Sequence, residues 1–451
     1  MGPASECVGV TDGEYGYSPG LGEVESKIRA QNAWVRDQHS AYVSVAYLGA
    51  MTPLAGGATI SAVRRQLEGA YVAQMLANRP DSTTHGSPLI RLLIANDGVG
   101  DEQWPFVVGE LARRVHGSDQ LVAVTGLGLP SAATSEEVLA LHDEHIPIVG
   151  AMATSGDLVA KGLATVSMPA SVEVAAGVAY ERPRARDAVL VYDVDKTDVY
   201  ANELANEFAQ QWRDGSLARE PFNSANDPTG DFRLMRNDRN LCRPTNTQGT
   251  VMGSDQALIF FAGREPELEG FVEQLAANNC LGPYEIVTGP DAANESDDMA
   301  YLSKLKPHGS VLVNYAGRTL PAEWAYGGLP VPKLFPDFRD TFDKSFRGET
   351  LDDGQALVGG DAVWTAIQVV FNIQAIGPVK VDIVASGLFH LGGSNAIASA
   401  SGSIDLDNCG DRVYLPVAVV QMQFDGTVKR MIVASPQVPP SAALACPQGG
   451  G

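Results

Sequence analysis

Short apolar runs recur along the chain, and each is followed by a segment with helical spacing. "YVSVAYLGAM" (42–51), "LIRLLIAND" (89–97), "LVAVTG" (121–126) and "IPIVGAM" (146–152) read as strands. Between the first two, "SAVRRQLEGAYVAQMLAN" (61–78) sets Val63, Leu67, Ala70, Tyr71 and Met75 on one helical face. Residues 101–115 and Ser131–His142 are helical as well. Strands that alternate with helices in this way predict a parallel sheet with right-handed crossovers.

The pattern then restarts. Strands are expected at 187–195, 256–263, 284–289 and 310–317, with helices at 198–213 and from 264 through Ala277. Residues 356–374 predict a strong helix, and 411–435 a β-hairpin turning at "FDG". No apolar run is read as long enough to span a bilayer. Residues 1–40 are expected to form an irregular or partly helical extension. The stretch 214–255, rich in Asn, Asp, Gly and Pro, is expected to be a long loop or insertion. The reading is α/β with two Rossmann-like lobes.

Length agrees, since 451 residues exceed what one compact core usually holds. A formal charge of −22 argues against nonspecific nucleic-acid binding, which needs a basic face. The five cysteines form no CxxC pair, which removes zinc-ribbon and thioredoxin-like readings. Cys242 and Cys280 flank one predicted strand–helix unit and are the favoured disulfide. Cys7 and Cys446 lie near the chain ends, where a bond would staple them. No leader pattern opens the chain.

The chemistry gathers at strand ends, where open α/β sheets bind ligands. "LVAVTGLGLPSAAT" (121–134) runs a strand into Gly126, Gly128 and a helix starting at Ser131. Its free N–H groups and partial positive charge make an anion seat. Gly126-x-Gly128-x-x-Ser131 approaches a dinucleotide fingerprint, but the next strand ends in "VGAMATSG" with no acid for a ribose. That second strand end offers Thr154. "VLVYDVDKTD" places Asp193-x-Asp195 after a strand, as in haloacid-dehalogenase-like phosphatases, where the first aspartate attacks phosphorus. Here, however, a whole α/β lobe precedes the motif. "HDEH" (142–145) reads as a solvated helix end rather than a metal site. Asp291, just past a strand in "TGPDAANES", is placed either to cap the next helix or to pair with a ligand ammonium.

Taken in order, these segments resemble the type I periplasmic binding proteins, specifically the branched-chain amino acid receptors of ABC importers. The likeness runs over most of residues 41–435. Its markers are "VAYLGAMTP", "LEGAYVAQMLAN", "LLIANDGVGDE", "VAVTGLGLPSAAT", "IPIVGAMATSGDL", "DVDKTDVYANELA", "FFAGREPEL", "TGPDAAN" and "GDAVWTAI". "ASGSIDLDNCGD" before the closing strands also fits.

The resemblance implies two lobes with parallel sheets, joined by a multi-strand hinge and closing on a ligand. It sets lobe I at about 41–158 plus 322–384, and lobe II at about 159–321 plus 385–446. It implies that Ser131 and Thr154 hold an amino acid's carboxylate, Asp291 its ammonium, and Tyr200 covers it, with Met152 and Ala153 lining the pocket. Met152 stands where the family has a small residue, and Arg264-Glu265 where it often has aromatics. The chain is thus expected to be a monomeric, extracellular or surface-held solute-binding protein. It would need no cofactor or metal, catalyse nothing and serve an ABC permease. A sensory ectodomain of the same fold and the phosphatase using Asp193 and Asp195 are the alternatives.

Overall fold

The computed structural model describes residues 6–52, 59–79, 88–128, 130–153, 162–213, 215–225, 232, 241, 257–277, 284–295, 311–317, 319–326, 329–422 and 428–434. The chain divides into two compact units. The first comprises residues 1–168, 330–415 and 440–451, and the second 169–329 and 416–439.

The first unit is built on a six-stranded sheet. Its strands are β1 (Gly9–Thr11), β2 (Tyr42–Gly49), β3 (Leu89–Asn96), β4 (Leu121–Gly126), β5 (Ile148–Gly150) and β6 (Leu163–Thr165), in the order β1-β3-β2-β4-β5-β6. β2 and β3 pair in parallel from Tyr42–Leu89 to Gly49–Asn96. Their side chains are buried almost throughout, as helices on both faces of a parallel sheet require. The helices include α1 (Gly22–Asp37), α2 (Ile60–Ala77), α3 (Trp104–Val115) and α4 (Ala132–Asp143).

Residues 1–40 are not merely an extension. β1 adds to the sheet edge antiparallel to β3, and α1 packs on the same strand. The Asn32 side chain donates to the Leu92 carbonyl at 2.7 Å and accepts from the Leu92 amide at 3.0 Å. Cys7 is a free thiol that accepts from the Tyr15 hydroxyl, so no bond staples it to Cys446. Cys409 is disulfide-bonded. Cys242 and Cys280 lie outside the described residues.

Helix Gln355–Gln374 is long and apolar enough to cross a membrane by length and composition, which the reading of apolar runs missed. It is instead a core helix, with most of its residues buried. It packs along α2 at backbone contact, where Gly69, Gly359 and Gly360 leave room.

The second unit holds a seven-stranded sheet. Its strands are β7 (Asp187–Asp193), β8 (Ser216–Phe222), β9 (Ala257–Ala262), β10 (Tyr284–Thr288), β11 (Val311–Gly317), β12 (Val417–Met422) and β13 (Val428–Ala434). The order is β13-β12-β11-β10-β9-β7-β8, with β12 antiparallel to both neighbours. The hairpin expected at 411–435 is therefore present, and the "FDG" turn lies outside the described residues. The start of 214–255 is not loop. "SLAREPF" forms β8, parallel to β7 at the sheet edge, where polar residues and Pro221 are tolerated.

Candidate functional site

In the first unit, β4 ends as the sequence anticipates. Gly126 has φ +95°, and a Cβ there would lie 2.6 Å from the Leu48 carbonyl oxygen, so only glycine fits. Ser131 caps α4 by accepting from the Thr134 amide at 3.1 Å. Ser131 is half-buried. Its Oγ also lies 2.8 Å from Thr134 Oγ1. Thr134 Oγ1 in turn donates to Asp101 Oδ2 at 2.7 Å. Thr154 lies outside the described residues. Met152 and Ala153 are both buried, and Ala153 belongs to the apolar core beside β4.

An acid therefore stands beside the anticipated anion seat. Asp101 is buried, adopts φ +59°, and places Oδ1 3.0 Å from where a Gly128 Cβ would be. Close to it lie two fully buried acids, Asp97 and Glu137. Neither oxygen of either carboxyl has a hydrogen-bond partner among the described residues. Burial raises both well above the carboxylate range, and the negative charge of Asp101 adds to this. Glu137 and Glu6 raise Asp97 further. Glu6 reaches in from the N-terminal segment, accepts from the Val99 amide and takes a hydrogen bond from Thr52.

In the second unit, chemistry collects at the carboxyl ends of β7, β9 and β10. Asp198 caps helix Val199–Gln211, accepting from the Ala201 amide at 2.9 Å. It also binds Arg264 through Nε at 2.7 Å and Nη2 at 3.0 Å. The Arg264 guanidinium lies over the Tyr200 ring, 4.6 Å from its centroid. Tyr200 is buried, and its hydroxyl accepts from the Asp291 amide at 3.5 Å. Asp291 is buried too, and accepts from the Glu265 amide at 3.3 Å. Opposed to desolvation, the charges of Asp198 and Asp291 hold Arg264 protonated, above its ordinary value. Burial pushes Glu267 up to about 8, while the Arg264 backbone N–H bonded to it works the other way.

The structure thus brings Tyr200 and Asp291 together, and adds Arg264 and Asp198 to them. One face of the Tyr200 ring is covered by this chain's own guanidinium. The expectation had noted Arg264 only as a departure. Its signal in the sequence was its place directly after β9, one of the strand ends where ligands gather.

Asp193 accepts from the amides of Asp195 (3.0 Å) and Ser224 (3.2 Å) and from the Ser224 hydroxyl. Asp195 accepts from the Thr197 amide and hydroxyl. Both carboxylates fasten the loop after β7. Among the described residues, no group of His, Cys, Asp or Glu is arranged to hold a metal ion. At the α4 end, a Cβ on Gly162 would meet the His142 ring at 2.5 Å, so His142 packs against that backbone.

No family model and no curated protein matches the chain. Solved structures do. The isoleucine complex of the branched-chain amino acid substrate-binding protein LivJ from Streptococcus pneumoniae is 16% identical, covers 88% of this chain and 100% of its own, and has a TM-score of 0.63. The leucine-binding protein LivK from Thermotoga maritima is 19% identical, covers 87% and 99%, and has a TM-score of 0.59. A solute-binding protein from Rhodopseudomonas palustris, complexed with 3,4-dihydroxybenzoic acid, is 14% identical, covers 88% and 99%, and has a TM-score of 0.59. These identities establish likeness of fold, and on the strand orders of both sheets together with them the chain has the type I periplasmic binding protein fold.

Proposed function

We propose that the chain is an exported or surface-held solute-binding protein that captures an amino acid or a similar small polar ligand for an ABC importer. The observation that carries the reading is a buried acid, Asp291, beside a buried aromatic, Tyr200, at the carboxyl end of the second sheet. The reading places the ligand's carboxylate at the strand-end N–H groups around Ser131 and Thr154, and its ammonium at Asp291. Met152 and Ala153 shape the apolar end. No residue is assigned a catalytic role.

A thermal-shift screen of amino acids and small aromatic acids tests this directly. A ligand at a hundred times its Kd stabilises the native state by about 2.7 kcal/mol, a clear rise in Tm. No rise with any member of the screen removes the reading. Asp291→Ala is expected to weaken amino-acid binding by about 3 kcal/mol, because a buried ammonium loses its counter-charge. Titration calorimetry showing wild-type affinity would take Asp291 out of the site. The export part predicts a Cys242–Cys280 disulfide, and peptide mapping without reductant that finds both as free thiols counts against it.

A further inference from the structure

Cys409 is disulfide-bonded, whereas Cys7 is a free thiol. Of the five cysteines, Cys242, Cys280 and Cys446 therefore remain as partners for Cys409, and all three lie outside the described residues. The division of the chain separates them. Cys409 and Cys446 both fall in the first unit, within 330–415 and 440–451, while Cys242 and Cys280 both fall in the second, within 169–329. A disulfide needs its two Cα atoms within about 7 Å of each other. Pairing inside each unit serves all four cysteines at once. Pairing Cys409 with Cys242 or Cys280 would leave the other two in different units.

We propose that Cys409 and Cys446 are joined in a disulfide that fastens the C-terminal segment to the first unit, after the chain has built the last two strands of the second sheet. To form it, two thiols give up two protons and two electrons, and a small-molecule or protein disulfide accepts them and leaves as two thiols. The Cys409 end is a firm anchor. Asp407 Oδ1 accepts from the Cys409 amide at 2.8 Å and from the Asp411 amide at 3.0 Å. The Gly410 carbonyl accepts from the amide of Thr165, the last residue of β6, at 2.9 Å. Beyond it the buried Arg412 donates to the carbonyl of Val166 at 2.8 Å and to that of Ser403 at 3.0 and 2.8 Å. At the other end the bond acts on β13, which is the edge of its sheet and pairs with β12 alone among the described strands. The chain passes between the units at 168/169, 329/330, 415/416 and 439/440, and only the last passage runs on to a terminus. With the bond closed, β12 and β13 lie on a loop of about 37 residues held to the first unit at both ends, a constraint that the unfolded chain also bears.

Trypsin puts the five cysteines on separate peptides, Cys409 on 381–412 and Cys446 on 431–451. The full chain is oxidised with glutathione disulfide, blocked with N-ethylmaleimide and digested without reductant. The expected product is 381–412 joined to 431–451. A link from 381–412 to the peptide of Cys242 or Cys280, or an alkylated Cys409, overturns the proposal. Alkylation of the native protein reads the same pairing from the other side. Cys446→Ser is expected to leave the half-buried Cys409 open to the maleimide, whereas Cys242→Ser and Cys280→Ser leave it blocked. The reverse pattern overturns the pairing. The tie itself is tested in the double variant Cys409→Ser/Cys446→Ser, which leaves no odd thiol behind. It is expected to lower Tm by about 5 °C or more and to speed amide exchange across 428–434 about tenfold. Wild-type Tm together with wild-type exchange would show that the bond holds nothing down, and would overturn the fastening role.

Discussion

Gly69→Ala is expected to destabilise the first unit by about 3 kcal/mol or more, although alanine is the better helix former by about 1 kcal/mol. Gly69 lies inside α2, against helix Gln355–Gln374. A Cβ there would sit 1.8 Å from the Ala356 carbonyl oxygen, 2.7 Å from its carbon and 2.9 Å from the Gly360 nitrogen. All three are backbone atoms, so no side chain can swing aside. The helices must part, and the buried Leu357, Val363, Ile367 and Val370 lose packing with them. Gly109→Ala in α3 is the matched control. Nothing lies within 4 Å of its Cβ position, so there propensity alone acts and a gain of about 0.5–1 kcal/mol is expected. Urea unfolding of both variants checks the pair. A Gly69→Ala protein as stable as wild type would mean that the two helices do not meet at this crossing.

Much of the fold was legible because parallel strands buried on both faces are apolar over most of their length. β2, β3, β4, β7 and β9 all declared themselves in this way. The elements that escaped notice lack that signature for physical reasons. β1 is three residues long and takes its place only by pairing with β3. β8 is an edge strand, and "SLAREPF" reads as loop because an edge tolerates charge and proline. The site divides in the same way. Gly126 and the Ser131 cap follow from local backbone chemistry, which a sequence carries openly. Asp101 meets Thr134 from 33 residues away, through a left-handed turn that "GVGDE" does not announce. Arg264 reaches Asp198 across 66 residues. Such contacts depend on which strand ends are neighbours in the sheet, and that order is set by the whole unit.

Raising the pH from about 4 to about 9 is expected to destabilise the second unit, with Glu181 as a main contributor. Glu181 is fully buried at the end of helix Ala170–Glu181. Asn314 Nδ2 donates to its carboxyl at 3.1 Å and to that of Glu285 at 2.8 Å. Burial first, and the neighbouring Glu285 charge second, push Glu181 up to about 9, with Arg184 opposing. In the unfolded chain a glutamate titrates at about 4.3. Between these values the folded state holds a proton that the unfolded state has released. Stability from this group is therefore fully present below the unfolded value and falls as pH rises toward about 9. The slope approaches about 1.4 kcal/mol per pH unit for one proton. Glu267, raised to about 8 in the same unit, acts with the same sign. Glu181→Gln is neutral throughout, can accept from Asn314 and has an amide to donate toward Glu285. It is expected to remove most of the Glu181 share of the slope and to be more stable than wild type at pH 8–9, while matching it near pH 4. Urea unfolding of both proteins at pH 5, 7 and 9 reads the difference. Parallel stability curves would show that Glu181 is already ionised in the folded protein, and that its buried charge is compensated in some other way.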